Sequence, residues 1–283
     1  MSEEAKIIER KEISRGAVML FGFPDVGLVG VIAASHLISE LNLTEVAYMD
    51  SKLLPPLIVL HEGLPHSPIR VFGNHEVLLA VSETAVSTDT IYPIMHALID
   101  WGRSKDVKKM ISMSGIPVQD RQDVKQLKVF AAASNPETLK AVKDKGVQVL
   151  KEGYMVGPQA IMMQYCAKTD VPAITLLAQC FFNYPDPEAA EELLKELTKI
   201  AEIKVDVSKL LEKGEEIRLR ARDVMRRTQQ EMSKMKKLKS MTYQCMCLRV
   251  MLKCQIKESV QSSTSSVNTL RICRNGLKDL EKR

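Results

Sequence analysis

Short apolar runs alternate with helix-like segments from residue 17 to residue 206, and this alternation constrains the fold more than any other feature of the sequence. The first run, AVMLFGF, ends at Pro24 and precedes LVGVIAASHLISEL, whose small and apolar residues recur at helical spacing. The same order returns later in PQAIMMQYCAKT, PAITLLAQ and PDPEAAEELLKELTKIAEI. Strands that alternate with helices predict an α/β protein, a three-layer α/β/α sandwich with helices on both faces of the sheet.

Local signals refine this prediction. The runs PIRVFGN and EVLLAVSE are separated by turn residues around Asn74, which predicts a β-hairpin and therefore a mixed sheet. In TIYPIMHALIDWGRSK, Pro93 falls in the first turn of a predicted helix, where proline is tolerated. Asn135 and Gly146 mark the start and the stop of another helix in NPETLKAVKDKG.

The pattern changes after residue 206, where no further strand is predicted. Residues 207–244 read as one long helical extension with a narrow apolar stripe, which could seal the core, pack against a second copy or face a partner. Residues 245–283 combine a Ser/Thr-rich run with scattered cysteines, which suggests a disordered or non-native tail. We therefore predict an α/β domain at 1–206, a helical extension at 207–244 and a separate tail at 245–283.

The charge distribution argues against a general affinity for nucleic acids. The formal net charge is +5, but residues 245–283 hold eight Lys and Arg against three acidic residues, so the rest of the chain is balanced. No apolar run has the ~20 residues of a membrane-spanning helix, and the first residues are charged, so we expect a cytoplasmic protein without membrane contact. The cysteines at 166 and 180 lie in apolar segments, whereas the four tail cysteines lack the usual spacing of a zinc site.

One turn has the features of a nucleotide-binding loop. Gly22, Asp25, Gly27 and Gly30 lie between the first predicted strand and helix, and Asp50 ends the next strand where a dinucleotide fold keeps its ribose-binding acid. Asp25, however, replaces the first glycine of the G-x-G-x-x-G motif, and its charge would repel a pyrophosphate. The alternative interpretation is structural: the glycines allow close packing, and Asp25 or a neighbour caps the helix.

Other chemistry is weakly indicated. The motifs of P-loops, serine hydrolases and zinc proteases do not occur in the sequence. Cys166 reads as a packing residue, and the five histidines are too dispersed for the sequence to show whether any two converge near a carboxylate. Residues 218–239 hold nine Lys and Arg against two acidic residues, which fits a solvated face, a contact with an acidic protein surface or RNA.

Two stretches carry a resemblance to a known family: GFPDVGLVGVIAASHLI, and the stretch from GPQAIMM through NYPDPEAA to VDVSKL. They resemble the archaeal proteasome-assembly-chaperone family, which is PAC2-like. The resemblance implies a phosphorylase/hydrolase-like α/β/α fold, self-association, and ATP-independent assembly of the 20S core particle by docking onto proteasome α subunits or the α ring. It implies no catalytic residue, cofactor or metal. Some relatives are labelled ATP-grasp-like, so the alternative function is a nucleotide-dependent enzyme, ATP-grasp-like or dinucleotide-binding, that uses the turn from Gly22 to Gly30.

We expect the partner contacts on the helical extension. The residues are Arg222, Met225, Arg226, Met232, Met235, Leu238 and Tyr243. Some family members end in a hydrophobic residue, a Tyr and one final residue, which insert into pockets of the α ring. Here Thr242 precedes Tyr243 and the chain continues to Arg283, so this sequence does not predict pocket insertion.

Overall fold

The computed structural model describes residues 5–207, together with Leu210 and Arg226. Residues 5–207 contain eleven strands and five α-helices. In chain order these are β1 (Ala5–Glu9), β2 (Val18–Gly22), α1 (Val29–Glu40), β3 (Thr44–Ser51), β4 (Val59–His61), β5 (Leu64–His66), β6 (Ile69–Gly73), β7 (Val77–Ser82), α2 (Ile91–Ser104), β8 (Lys109–Pro117), β9 (Val129–Ala133), α3 (Pro136–Asp144), β10 (Gln148–Val149), α4 (Pro158–Lys168), β11 (Ala173–Cys180) and α5 (Pro187–Ala201).

Nine of these strands form one mixed sheet in the order β1-β3-β6-β7-β2-β8-β11-β9-β10. The four central strands β7, β2, β8 and β11 are parallel, so their carboxyl ends lie at the same edge. The neighbours β6 and β9 run antiparallel to this centre. The predicted β6-β7 hairpin and the mixed sheet are both confirmed.

The alternation of side chains along β2 explains why both faces of the sheet are covered. Leu20 packs in a core with α1, α3 and α5, whereas Met19 and Phe21 belong to a second core with α2 and α4. All three side chains are at most 1% exposed. A strand buried on both faces reads as a continuous apolar run, and this is the predicted three-layer α/β/α arrangement.

Helix boundaries follow the local signals. The Asn135 side chain accepts a hydrogen bond from the Thr138 backbone N–H at 2.8 Å, and Gly146 has a φ of +77° just beyond α3. Pro93 lies in the first turn of α2. Among the helices within residues 5–207, none is both long and apolar enough to cross a membrane.

The strand β1 was not predicted. It pairs with β3 at the sheet edge, where its charged residues remain partly exposed and hide the strand pattern. The two short strands β4 and β5 form a separate hairpin outside the main sheet. The predicted extension at 207–244 and tail at 245–283 lie outside the described residues apart from Val207, Leu210 and Arg226, so these boundaries stay predictions.

Candidate functional site

The glycine turn and the NYPDPE segment, both singled out in the sequence, meet at the carboxyl edge of the central strands. The Asp186 backbone N–H donates a hydrogen bond to the Gly27 carbonyl oxygen at 2.9 Å, although the two residues are far apart in sequence. The ends of β2, β8 and β11 bring these segments together. This edge is the candidate functional site.

The glycines of the turn serve close packing. A Cβ atom at Gly30 would lie 2.2 Å from the Met113 carbonyl oxygen on β8. Gly27 has a φ of +64°, and a Cβ there would lie 2.8 Å from the Cys180 sulfur. Protein atoms from β8 and β11 therefore press against this turn, which supports the structural interpretation of the glycines.

Asp25 points into the protein interior. Its carboxyl group accepts hydrogen bonds from the Ser114 hydroxyl and, at 2.7 Å, from the Gln159 side-chain amide. Burial raises the pKa of Asp25 above its usual range, although the hydrogen bonds from Ser114, the Val26 backbone and Gln159 act in the opposite direction. The side chain makes no capping hydrogen bond, so the prediction that Asp25 caps the helix is wrong. The N-cap position of α1 is occupied by Leu28, which makes no side-chain capping hydrogen bond.

Asp50 does not join this turn. It is exposed near the end of β3, and strands β6 and β7 lie between β3 and β2. At the usual strand spacing this separates β3 from β2 by about 14 Å. In a dinucleotide-binding fold the acidic residue follows the strand adjacent to the glycine turn, so the two halves of the predicted cofactor site are not assembled in that way.

The loop from residue 181 to residue 186 is fixed by a buried ion pair. Arg121 contacts Asp186 through two hydrogen bonds of 2.9 and 3.1 Å, and it also bonds Glu188 at 2.8 Å. Asp186 is fully buried and accepts hydrogen bonds from the backbone N–H groups of Phe181 and Ala189. The loop and the start of α5 are thereby anchored by one carboxylate. Burial acts to lower the pKa of Arg121. The hydrogen bonds and charges of Glu188 and Asp186 outweigh this effect, so the pKa of Arg121 is raised.

Tyr184 projects from this anchored loop. The residue is 68% exposed, and its ring meets the Phe181 ring edge-to-face at a centroid distance of 6.3 Å. The Phe181 ring also contacts Arg121, whose guanidinium carbon lies 4.9 Å from the ring centre. The result is an exposed aromatic side chain on an ordered support. Sequence reasoning missed Tyr184 and Arg121; an aromatic residue within the turn-forming Asn-Tyr-Pro-Asp stretch was the available signal.

Two of the histidines do converge near carboxylates. The rings of His61 and His66 lie 5.4 Å apart, and each has a glutamate oxygen 3.1 Å away. The other three occupy separate places: His36 contacts the Asp206 carbonyl oxygen, His96 stacks on Tyr165, and His75 is exposed beside Glu76. Within residues 5–207, no three His, Cys, Asp or Glu side chains form a group suited to a metal ion.

Cys166 lies on the buried face of α4 and packs in the core that α2 and α4 share. Burial raises the pKa of its thiol to about 12, so the group is protonated at neutral pH and is a poor nucleophile. This agrees with the packing role predicted for it. Of the predicted partner-binding residues, Arg226 is helical and exposed, while Arg222, Met225, Met232, Met235, Leu238 and Tyr243 lie outside the described residues.

The fold and this edge define a class: a three-layer α/β/α protein with a mixed nine-stranded sheet, whose glycine turn is packed against β8 and β11. The sequence profile of the PAC2 family matches residues 19–225. The chain belongs to the PAC2 family.

Individual relatives agree with this assignment. The chain is similar to an uncharacterized protein of Methanocaldococcus jannaschii, with 26% identity over 238 residues that cover 84% of this chain and 98% of the relative. The crystal structure of Pyrococcus furiosus PbaA, an archaeal homolog of proteasome-assembly chaperone, superposes with a TM-score of 0.75 at 25% identity, covering 80% of this chain and 98% of PbaA. P. furiosus PbaB, an archaeal proteasome activator, shares the fold with a TM-score of 0.67 at 20% identity, covering 78% and 99% of the two chains.

Proposed function

We propose that this protein is a cytoplasmic proteasome-assembly chaperone that docks onto core-particle α subunits without consuming ATP. The single observation that carries the proposal is the match to PbaA, which extends over 98% of the PbaA chain. Family membership over residues 19–225 supports the same role. Self-association belongs to the proposal as well.

The chemistry of the described residues supports docking rather than catalysis. Asp25 is the ionisable residue of the glycine turn, and its carboxyl group accepts hydrogen bonds from Ser114 and Gln159. The Cys166 thiol is buried and protonated. A protein that works by docking requires surface complementarity, and neither group needs to reach a substrate for this purpose.

We assign the docking surface to two parts of the chain. The first is the helical extension predicted from the sequence, with Arg222, Met225, Arg226, Met232, Met235, Leu238 and Tyr243. The second is the loop that carries Tyr184. Aromatic residues on ordered loops suit protein interfaces because they bury a large area and lose little conformational entropy on binding.

Pull-down with purified archaeal proteasome α subunits tests the proposal. We expect the full chain to retain α subunits, and we expect Tyr184→Ala to weaken retention at least about tenfold, as truncation of an aromatic anchor typically does. Tyr154→Ala is a matched control because both tyrosines are 68% exposed. A second comparison removes residues 245–283 and asks whether the tail affects binding.

The outcomes are distinct. Absence of retention by the full chain and by the chain ending at Gln244 would exclude docking onto α subunits. Equal losses for the Tyr184 and Tyr154 variants would remove the loop from the docking surface and leave the predicted extension.

A further inference from the structure

The β4-β5 hairpin forms a two-stranded sheet of its own, and its exposed surface is largely apolar. Residues 52–65 are all exposed or half-buried, and their ionisable side chains are those of Lys52, His61 and Glu62. Ile58 and Leu60, both on the β4 side of the turn, are each 64% exposed. A contiguous exposed apolar patch marks an interaction site more often than a free surface.

The two faces of the hairpin have different surroundings. His61 and His66 lie on one face, where each has a glutamate oxygen 3.1 Å away. Leu60 lies opposite Pro65 in the hairpin register. Opposite residues share a face and side chains alternate along a strand, so Ile58, Leu60 and Pro65 form the other face. The polar face is therefore anchored, and the apolar face is open to solvent.

The turn determines which backbone groups of the hairpin point outward. Its two residues, Glu62 and Gly63, have φ values of +52° and +80°, as in a two-residue type I′ turn. In such a hairpin the pair that flanks the turn exchanges both of its hydrogen bonds. The next pair, Leu60 and Pro65, therefore directs its backbone groups away from the hairpin.

The two edges of the hairpin differ in their capacity to accept another strand. Proline has no N–H group, so the β5 edge is blocked at Pro65. On the β4 edge, Leu60 and Ile58 both direct an N–H and a carbonyl group outward. Within residues 5–207, no hydrogen bond outside the hairpin uses these groups. The hairpin thus has one blocked edge and one edge that can be extended.

We propose that the outer edge of β4 pairs antiparallel with the same edge of a second copy of this chain, which gives a four-stranded sheet in the order β5-β4-β4-β5. The inference rests on the self-association included in the proposed function, and it assigns a surface to that association. Val59 lies at the two-fold axis in this arrangement. Ile58 of each copy then lies opposite Leu60 of the other, and each such pair exchanges two hydrogen bonds.

The charges at this edge favour a second copy over a charged partner. In a two-fold contact a surface meets itself, so a patch of one charge would repel its own copy. Residues 57–60 are apolar, and the pairing about Val59 brings no two like charges together. A charged segment, by contrast, would find no opposite charge at residues 57–60. Since Pro65 blocks the far edge, addition of strands stops at two copies.

The size of the surface indicates how strong the association is. A standard interface uses about 20–30 residues from each partner, and the exposed segment 52–65 is shorter. We therefore expect a dissociation constant on the order of micromolar.

Light scattering coupled to size-exclusion chromatography tests the pairing with the full chain at about 1 to 200 µM, which brackets this range. We expect the mass of the wild type to rise with concentration. Leu60→Lys places two ammonium groups on neighbouring strands of one face and should raise the dissociation constant at least about tenfold. Leu64→Lys is the matched control, because Leu64 is 63% exposed but lies off the β4 edge; it should associate like the wild type.

Two further comparisons test the strand pairing itself. Leu60→Pro removes an outward N–H group without affecting the inner hydrogen bonds of the hairpin, so it should weaken association more than Leu60→Ala. Ile58→Glu alone should also weaken association. An equimolar mixture of the Ile58→Glu and Leu60→Lys chains should regain it, because the register places the introduced carboxylate opposite the introduced ammonium group.

The inference is overturned if Leu60→Lys associates like the wild type, if Leu64→Lys loses as much association, or if the mixed variants do not recover it. A wild type that stays monomeric throughout would also overturn it and would leave the edge to an extended segment of another protein. The α-subunit pull-down is a separate measurement. A monomeric chain that retains α subunits would contradict this inference alone, whereas a paired chain that retains none would contradict only the docking function.

Discussion

At the scale of single residues, Asp25 shows how a side chain typical of a binding loop can be used for internal structure. Its carboxyl group joins three elements: the turn after β2, Ser114 on β8 and Gln159 on α4. A buried carboxyl group resists ionisation because its charged form loses hydration, and this raises the pKa. The residue therefore contributes to stability in a way that depends on pH.

The sign of this dependence follows from linkage. Because the folded-state pKa lies above the unfolded-state value, the contribution of Asp25 is fully present below the unfolded-state pKa and is lost as the pH rises through the folded-state pKa. We predict that Asp25→Asn, which stays neutral and can still accept from Ser114 and Gln159, removes this loss. Its free energy of unfolding at neutral pH should exceed that of the wild type by about 1 kcal/mol.

Denaturant titrations across the pH range provide the measurement. Asp25→Ala is the comparison, since it leaves the Ser114 and Gln159 donors unsatisfied and should cost about 1–3 kcal/mol at acidic pH, where the wild-type carboxyl group is protonated in both states. Asp25→Asn less stable than the wild type at neutral pH would contradict the raised pKa, because it would mean that the folded protein favours the ionised carboxylate.

At the scale of elements, the NYPDPE segment links a loop, a helix start and an ion pair. Asp186 is the N-cap of α5, the acceptor for the Phe181 N–H and the partner of Arg121, all at full burial. Three functions thus depend on one carboxylate. Removal of its cationic partner leaves an uncompensated buried charge, which is more costly than the loss of an exposed ion pair.

We predict that Arg121→Met lowers the free energy of unfolding by roughly 3–5 kcal/mol. The control Lys199→Met removes a cation whose side chain is 51% exposed and should change stability by less than about 0.5 kcal/mol. Thermal unfolding followed by circular dichroism measures both variants. Similar small effects for the two substitutions would show that the Arg121 and Asp186 pair does not anchor the loop.

At the scale of the whole molecule, the strand order of the sheet separates the glycine turn from Asp50, although their order in the sequence is that of a dinucleotide-binding unit. The chain passes from the glycine turn to Asp50 through a single helix and strand, which is the order of a dinucleotide-binding unit. In the sheet, β6 and β7 lie between β2 and β3, so the acid is moved away from the turn. The same topology brings NYPDPE to the turn instead.

Isothermal titration calorimetry tests whether the glycine turn binds a nucleotide. We predict no saturable heat when the full chain is titrated with ATP, NAD or nucleosides, because the turn is packed against β8 and β11 and lacks the acidic partner. Saturable heat that disappears in Gly27→Val would show a cofactor at this turn and would revive the nucleotide-dependent enzyme.

The fold could be predicted in large part because its signals are local. Short continuous apolar runs such as VMLFG are typical of a strand buried on both faces, and Asn135 and Gly146 mark a helix through their own backbone chemistry. The edge strand β1 was not predicted because its exposed charged residues, Lys6 and Glu9, interrupt the apolar pattern of a strand.

The sequence by itself determined the layered architecture, the family resemblance and the positions of most helices, because each depends on residues close together in the chain. Only the tertiary structure decided that Asp25 faces Ser114 and Gln159, that Asp186 binds Arg121, and that His61 and His66 share one cluster with Arg70. These contacts join residues from different elements. Their existence depends on strand order and register, which place distant segments side by side and which no local pattern specifies.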